Sequence, residues 1–131
     1  GALTTSIVQS SSAVVGLTLS LAREGALNLT AGAAILVGAD VGTCVDTLLA
    51  ALVSNTAARQ AAFAHLLFNV FSVLLILPIF STFIYIAEAS SNHLPKQLAN
   101  AHTLYNLSGA IFLLLFLSPF QKLVESLIRS E

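Results

Sequence analysis

The sequence predicts an all-α membrane protein, and three observations carry that prediction. Hydrophobic residues make up 56% of the 131 residues and charged residues only 8%, whereas a soluble domain carries about 25% charged residues to cover its surface. The mean hydropathy is +0.91. Long uncharged apolar stretches alternate with short, interrupted ones. The net charge of −1 leaves no basic surface for nucleic acid, so a nucleic-acid partner is excluded.

Two long uncharged stretches predict full transmembrane helices. Residues 60–87 and 97–121 contain no Asp, Glu, Lys or Arg, and about 20 helical residues suffice to cross a ~30 Å hydrocarbon layer. Pro78 is expected to kink or end the first helix, and Pro119 to end the second. Beyond Pro119 the sequence predicts an amphipathic helix lying on the membrane surface. One face of that helix carries five apolar residues: Phe120, Leu123, Val124, Leu127 and Ile128.

The first 58 residues consist of shorter apolar segments separated by polar or glycine-containing breaks. Residues 13–22 would reach across only about half a bilayer as a helix. In "GADVGT", Gly38 and Gly42 bracket Asp40, and the helix is predicted to open there. Short or glycine-interrupted segments of this kind are typical of transporter binding sites at the membrane midplane.

The polar stretch "QSSS", residues 9–12, is predicted to form the tip of a re-entrant helical hairpin. Backbone that loses its helical partners at membrane depth is tolerated only when it is buried in protein or lines a wet cavity. The helix starting near Ala13 would point its N-terminal N–H groups at this tip, which favours an anion. Gly42 and Thr43 are expected to begin a second half-helix in the same way, and carbonyls freed by the breaks would suit sodium. The alternative is that "QSSS" is a small-residue packing face.

The pattern A-H-x-L-aromatic-N occurs twice, as "AHLLFN" and "AHTLYN". His65 and Asn69, like His102 and Asn106, are four residues apart and therefore share a helix face. We expect these side chains to form hydrogen bonds between helices, and Asn69 is also a candidate sodium ligand. Neither histidine has a companion ligand at metal-binding spacing, so no metal site beyond sodium is predicted.

The blocks "QSSSAVVG", "GADVGT", "RQAAFAHLLFNV" and "ANAHTLYNL" follow one another along residues 5–124. In this order they resemble the sodium–phosphate cotransporter family of the type II class and its bacterial relatives. The resemblance implies a secondary transporter, not an enzyme, that needs no cofactor and couples inorganic phosphate to sodium. It also implies two inverted repeats, each with a QSSS hairpin and a broken helix. Residues 1–131 resemble one such repeat, the second, so a second repeat or a second copy of the chain is the expected partner.

The predicted site combines the hairpin with the broken helix. The residues expected to bind substrate are Gln9, Ser10, Ser11, Ser12, Gly42 and Thr43. The residues expected to bind sodium are Gln9, Ser10, Asp40 and Asn69. Three positions depart from the family pattern: Asp40 replaces the usual Asn, Cys44 the usual Thr or Ser, and Asp46 an uncharged residue. Ionised carboxylates would repel phosphate, whereas they could bind cations or carry protons, and acids within apolar helices are usually functional. Either acid could instead be structural, paired with arginine or capping a half-helix.

Three other functions remain open at this stage. One is a transporter of another anion, or one with altered ion coupling. The second is a non-transporting assembly or regulatory module. The third is an intramembrane serine hydrolase that uses a QSSS serine with His65 and Asp40, which the lack of a Gly-x-Ser-x-Gly elbow disfavours.

The basic residues give a small positive-inside signal. If the first segment is a hairpin, Arg23 and Lys96 share one side of the membrane, and Arg59, Lys122 and Arg129 share the other. The side with three basic residues is predicted to be cytoplasmic, because cytoplasmic loops carry an excess of Lys and Arg. This places the C-terminus in the cytoplasm, with the chain in the plasma (inner) membrane.

Overall fold

The computed structural model describes residues 1–128, so Arg129, one of the basic residues expected on the cytoplasmic side, lies outside the described residues. Residues 1–128 form eight α-helices and one short 3-10 helix, Leu77–Ile79, with no strand, which confirms the all-α prediction. The helices are α1 (Ala2–Val8), α2 (Ser11–Arg23), α3 (Leu29–Gly42), α4 (Cys44–Ala51), α5 (Thr56–Ile76), α6 (Phe80–Ala89), α7 (Leu94–Leu115) and α8 (Leu117–Leu127).

Three segments within residues 1–128 are long and apolar enough to cross a membrane: Leu29–Ala51, Thr56–Ala89 and Leu94–Leu115. The second and third correspond to the two predicted transmembrane helices. The first contains the predicted break, which is limited to Thr43 between α3 and α4. Thr43 keeps a helical backbone, with φ −62° and ψ −22°. The interruption is therefore narrower than the opened helix that "GADVGT" predicts.

Pro78 and Pro119 act differently from each other. Pro78 lies in the 3-10 helix between α5 and α6, so the prediction that it kinks or ends the helix is confirmed by the end of α5 at Ile76. The prediction that Pro119 ends the second helix is wrong, because the last residue of α7 is Leu115 and Phe116 caps it with φ −116° and ψ 23°. Pro119 lies in the first turn of α8. A proline is tolerated there because N–H groups in a first turn have no helical acceptor to lose.

The predicted C-terminal amphipathic helix is α8. It buries Val124 against the rest of the protein, while Lys122 and Glu125 are exposed. The Gln60 side chain at the start of α5 donates a hydrogen bond of 2.8 Å to the carbonyl of Ile128. The end of α8 is therefore held beside the start of α5, and α8 is fixed to the bundle.

A helical hairpin is formed by α1 and α2, with its tip at "QSSS" as predicted. Gln9 ends α1 in the left-handed conformation, with φ 56° and ψ 29°, and its N–H donates to the Thr5 carbonyl at 2.7 Å. Glycine usually occupies such a position because it has no Cβ, so glutamine is an uncommon choice here. Ser10 follows in an extended conformation and caps α2. One left-handed and one extended residue thus reverse the chain.

Close packing between α1 and α3 places the hairpin against the interrupted segment. A Cβ at Gly42 would lie 2.7 Å from Thr5 Cβ and would collide with the Ala2 carbonyl, and a Cβ at Gly38 would lie 3.1 Å from the Ala2 nitrogen. Glycines four residues apart let membrane helices approach this closely. The interpretation of "GADVGT" as a pair of helix-opening glycines is therefore corrected: both glycines make room for α1.

The hydrophobic core joins α3 to α6 and α7. Leu36, Phe83, Leu98 and Tyr105 are its largest buried members. Leu98 fills the space in front of Gly32, where an added Cβ would lie 2.7 Å from a Leu98 methyl group. This core fixes the rotation of α3 and α7 about their axes, and thereby decides which of their polar residues meet.

Candidate functional site

The hairpin tip gathers the four QSSS side chains at one junction. The Ser10 hydroxyl accepts a hydrogen bond of 3.2 Å from the Ala13 N–H. Ser11 and Ser12 occupy the first two positions of α2, where backbone N–H groups have no helical acceptor. Within residues 1–128 the side chains of Gln9, Ser11 and Ser12 form no hydrogen bond, and those of Gln9 and Ser12 are exposed. The tip therefore presents N–H groups, hydroxyls and an amide, as the sequence predicts.

Gly42 and Thr43 do not form the second open helix end that the sequence predicts. Gly42 is buried against α1, and its carbonyl lies 3.4 Å from the Ser6 hydroxyl, which can donate to it. The Thr43 N–H donates to the Ala39 carbonyl at 3.1 Å, and its hydroxyl donates to the same carbonyl at 3.0 Å. The helical hydrogen bond persists because Thr43 keeps helical backbone angles. The assignment of both residues to the substrate site stays a prediction.

The hairpin tip and the Thr43 interruption lie at the same end of the α1–α3 contact. Thr5 lies beside Gly42, and Ala2 beside Gly38, so α1 runs alongside α3 in the same direction. Continuing that direction carries the end of α1 past Thr43, and α1 indeed also contacts α4. The tertiary fold thus brings together two elements that the sequence analysis assigned to one site.

Asp40 is held by the second copy of the A-H-x-L-aromatic-N motif. His102 Nε2 lies 3.2 and 3.1 Å from the two carboxylate oxygens, and Asn106 Nδ2 donates to Oδ2 at 3.0 Å. The Asp40 side chain is 14% exposed and that of His102 is 26% exposed. The expected hydrogen bonding between helices is confirmed here, linking α3 to α7. The acid is paired, although with histidine and asparagine and not with arginine.

The first copy of the motif, "AHLLFN", contacts α4, which follows Thr43, whereas Asp40 precedes Thr43. Asn69 is buried, and its Nδ2 donates to Cys44 Sγ at 3.3 Å and to the His65 carbonyl at 3.0 Å. His65 Nδ1 lies 3.4 Å from the Thr47 hydroxyl. The two copies therefore contact α3 and α4 on either side of Thr43.

Five side chains around the interruption form what we call the interior polar cluster: Asp40, Cys44, Asn69, His102 and Asn106. Cys44 joins its two halves, because its thiol contacts Asn69 and also donates to the Asp40 carbonyl at 3.7 Å. Two of the four predicted sodium ligands, Asp40 and Asn69, are thus neighbours through Cys44. The other two, Gln9 and Ser10, lie at the hairpin tip. The sequence analysis missed Cys44 as a link, although its place four residues after Asp40 puts both on one face.

Asp46 has a structural contact. Its Oδ1 accepts a hydrogen bond of 2.8 Å from the Thr47 N–H in the first turn of α4, where an acidic side chain is favourable. This favours a structural interpretation of Asp46, although within residues 1–128 α4 has no side-chain cap hydrogen bond. The residues of the hydrolase alternative do not assemble, because Asp40 contacts His102 while His65 contacts Thr47.

Comparison with known proteins decides the family. Residues 1–117 match the Na+/Pi-cotransporter family. The chain belongs to that family. This membership confirms the resemblance, and together with the three membrane-spanning segments it makes the chain an integral membrane protein.

The chain matches one curated relative over part of that relative's length. The "Uncharacterized protein YqeW" of Bacillus subtilis (strain 168) is 40% identical over 78 residues, which are 60% of this chain and 25% of that protein. This chain therefore matches only a quarter of the length of that relative. No solved structure matches the chain.

Proposed function

We propose that the chain forms half of a sodium-coupled transporter that moves inorganic phosphate across the plasma membrane by alternating access. The observation that carries the proposal is the match to the Na+/Pi-cotransporter family over residues 1–117. The packing of the QSSS hairpin against an interrupted spanning segment supports it, since interrupted helices form the binding sites of secondary transporters. The C-terminus lies on the cytoplasmic side in this proposal.

Phosphate binds at the hairpin tip in this proposal. The N–H groups of Ser11 and Ser12, their hydroxyls and the Gln9 amide donate hydrogen bonds to it, with Ser10, Gly42 and Thr43 completing the site. A helix N-terminus suits an anion because its N–H groups and its dipole both favour negative charge. Sodium binds between the tip and the interior polar cluster, through oxygen atoms of Gln9, Ser10, Asp40 and Asn69.

Altered ion coupling is the second candidate, and Asp40 favours it. The carboxylate is already engaged by His102 and Asn106, so a sodium ion there would share its ligand with a histidine. A transporter of this kind would move phosphate with a coupling ratio different from that of relatives that carry an amide at this position. Measuring the sodium dependence of phosphate uptake separates the two candidates.

Replacing Ser11 or Ser12 by alanine is expected to weaken phosphate uptake. Each lost hydrogen bond to a charged ligand costs about 1.5–3 kcal/mol, or roughly a ten- to hundredfold loss of affinity. Phosphate uptake by the complete transporter in proteoliposomes measures the effect. Ser20→Ala is the control, because Ser20 is an exposed serine on the same helix, far from the tip. Normal uptake by both tip variants would remove these serines from the site.

The chain is expected to pair, either with a second copy of itself or with the missing repeat. One unit supplies one hairpin and one interrupted segment, and polar breaks facing lipid are unfavourable until a second half covers them. Light scattering of the purified chain in detergent, with crosslinking at several protein concentrations, should show a dimer. A monodisperse monomer that binds phosphate tightly contradicts this expectation.

A further inference from the structure

A pocket of about 500 Å³ lies where α2 ends and α7 begins, at the opposite end of α2 from the hairpin tip. The 13 residues of α2 separate the two places by about 20 Å. The pocket borders the connection between the spanning segments Thr56–Ala89 and Leu94–Leu115. It therefore lies at a membrane–water boundary, where both lipid headgroups and dissolved anions can reach it.

The ionisable residues that line this pocket are all of the basic type. Arg23, His93 and Lys96 line it from two parts of the chain, and no carboxylate does. All three are exposed, and within residues 1–128 neither Arg23 nor Lys96 forms an ion pair. Glu24 and Glu88 occur near this end of the bundle in sequence, yet neither lines the pocket. Arg23 and Lys96, which the sequence predicts on one side of the membrane, thus line the same pocket.

We propose that this pocket binds a phosphate-bearing anion, as a second anion site separate from the hairpin tip. A guanidinium can hold two phosphate oxygens at once, and an ammonium adds a compact charge beside it. Asn92 offers an amide next to them. The ligand is either the headgroup of an anionic phospholipid or free inorganic phosphate, because both present the same oxygens. The proposal does not depend on transport, since none of its residues belongs to the hairpin site.

Histidine NMR tests the proposal at the pocket itself. The protein contains three histidines, and only His93 lines this pocket, so the His93 ring signal, assigned with His93→Gln, reports its occupancy. Inorganic phosphate is titrated into protein in neutral detergent. In the second arm, nanodiscs of phosphatidylcholine alone are compared with nanodiscs that also contain phosphatidylglycerol. The double variant Arg23→Gln/Lys96→Gln is compared with Arg59→Gln/Lys122→Gln, which removes the same charges outside the pocket.

We expect one probe to shift the His93 signal. Binding should be about tenfold weaker in the Arg23→Gln/Lys96→Gln variant and unchanged in the Arg59→Gln/Lys122→Gln control. A response to phosphate in detergent identifies the free anion, and a response only to phosphatidylglycerol identifies the lipid headgroup. Ser11→Ala should leave either response unchanged, which separates this site from the proposed transport site. No shift with either probe, or equal shifts in both double variants, would overturn the proposal.

Discussion

Replacing Gly42 by alanine is expected to push α1 away from α3 and to destabilise the hairpin. The new Cβ would lie 2.7 Å from Thr5 Cβ and against the Ala2 carbonyl. Both neighbours belong to α1, which is buried at this point, since Thr5 is 0% exposed. Overpacking a filled interior costs about 1–3 kcal/mol, and a clash with backbone places this variant near the upper end. Thermal unfolding in detergent, followed by circular dichroism, measures the loss.

Gly16→Ala is the matched control for this prediction. Gly16 lies inside α2, and an added Cβ there meets nothing within 4 Å. Alanine is favoured over glycine inside a helix by about 1 kcal/mol, so this variant should be unchanged or slightly more stable. If Gly42→Ala unfolds at the same temperature as Gly16→Ala, the close contact between α1 and α3 does not exist in the membrane protein.

Replacing Asp40 by alanine is expected to disrupt the interior polar cluster and to reduce transport. His102 and Asn106 would both lose their acceptor in a half-buried position. A buried polar group without a partner costs about 1–3 kcal/mol, and the partial exposure of His102 favours the lower half of that range. Asp40→Asn keeps the shape of the side chain and one acceptor oxygen, so its stability should fall less. Its sodium affinity should nevertheless change if the carboxylate is a ligand.

The measurement is a double-mutant cycle between Asp40→Ala and His102→Ala, with unfolding and sodium-dependent phosphate uptake as readouts. We expect the stability losses to be non-additive, because both variants remove the same contact. Asp46→Ala is the control acid, since within residues 1–128 the Asp46 side chain forms a hydrogen bond only with the N–H of the next residue. Additive losses, or an equal effect of Asp46→Ala, would mean that Asp40 and His102 do not act as a pair. Unchanged sodium affinity in Asp40→Asn would exclude Asp40 as a sodium ligand.

Features that depend on neighbouring residues were determined by the sequence alone. Composition and uncharged run length predicted the helical membrane class and two of the three spanning segments. The hairpin tip was predictable because Ser10 is a strong N-cap residue and its serine-rich surroundings interrupt an apolar run. The end of α5 near Pro78 was also predictable from the local sequence, because proline has no N–H to donate within a helix.

The two incorrect predictions, for "GADVGT" and for Pro119, share one physical origin. "GADVGT" carries two glycines, which can open a helix or let another helix approach, and the local sequence does not distinguish these uses. The presence of α1 directly in front of Gly38 and Gly42 decides for close packing. Pro119 is ambiguous in the same way, since a proline suits the first turn of a following helix as well as the end of a preceding one.

The contacts of the interior polar cluster were decided only by the tertiary structure. The motif "AHTLYN" showed that His102 and Asn106 share a face, but not what that face meets. Their acceptor, Asp40, is separated from His102 by 62 residues in sequence. Which side chains meet across two helices depends on the rotation of each helix about its own axis. That rotation is set by the packing of Leu36, Leu98 and Tyr105 between α3 and α7, a property of the assembled core that no single segment contains.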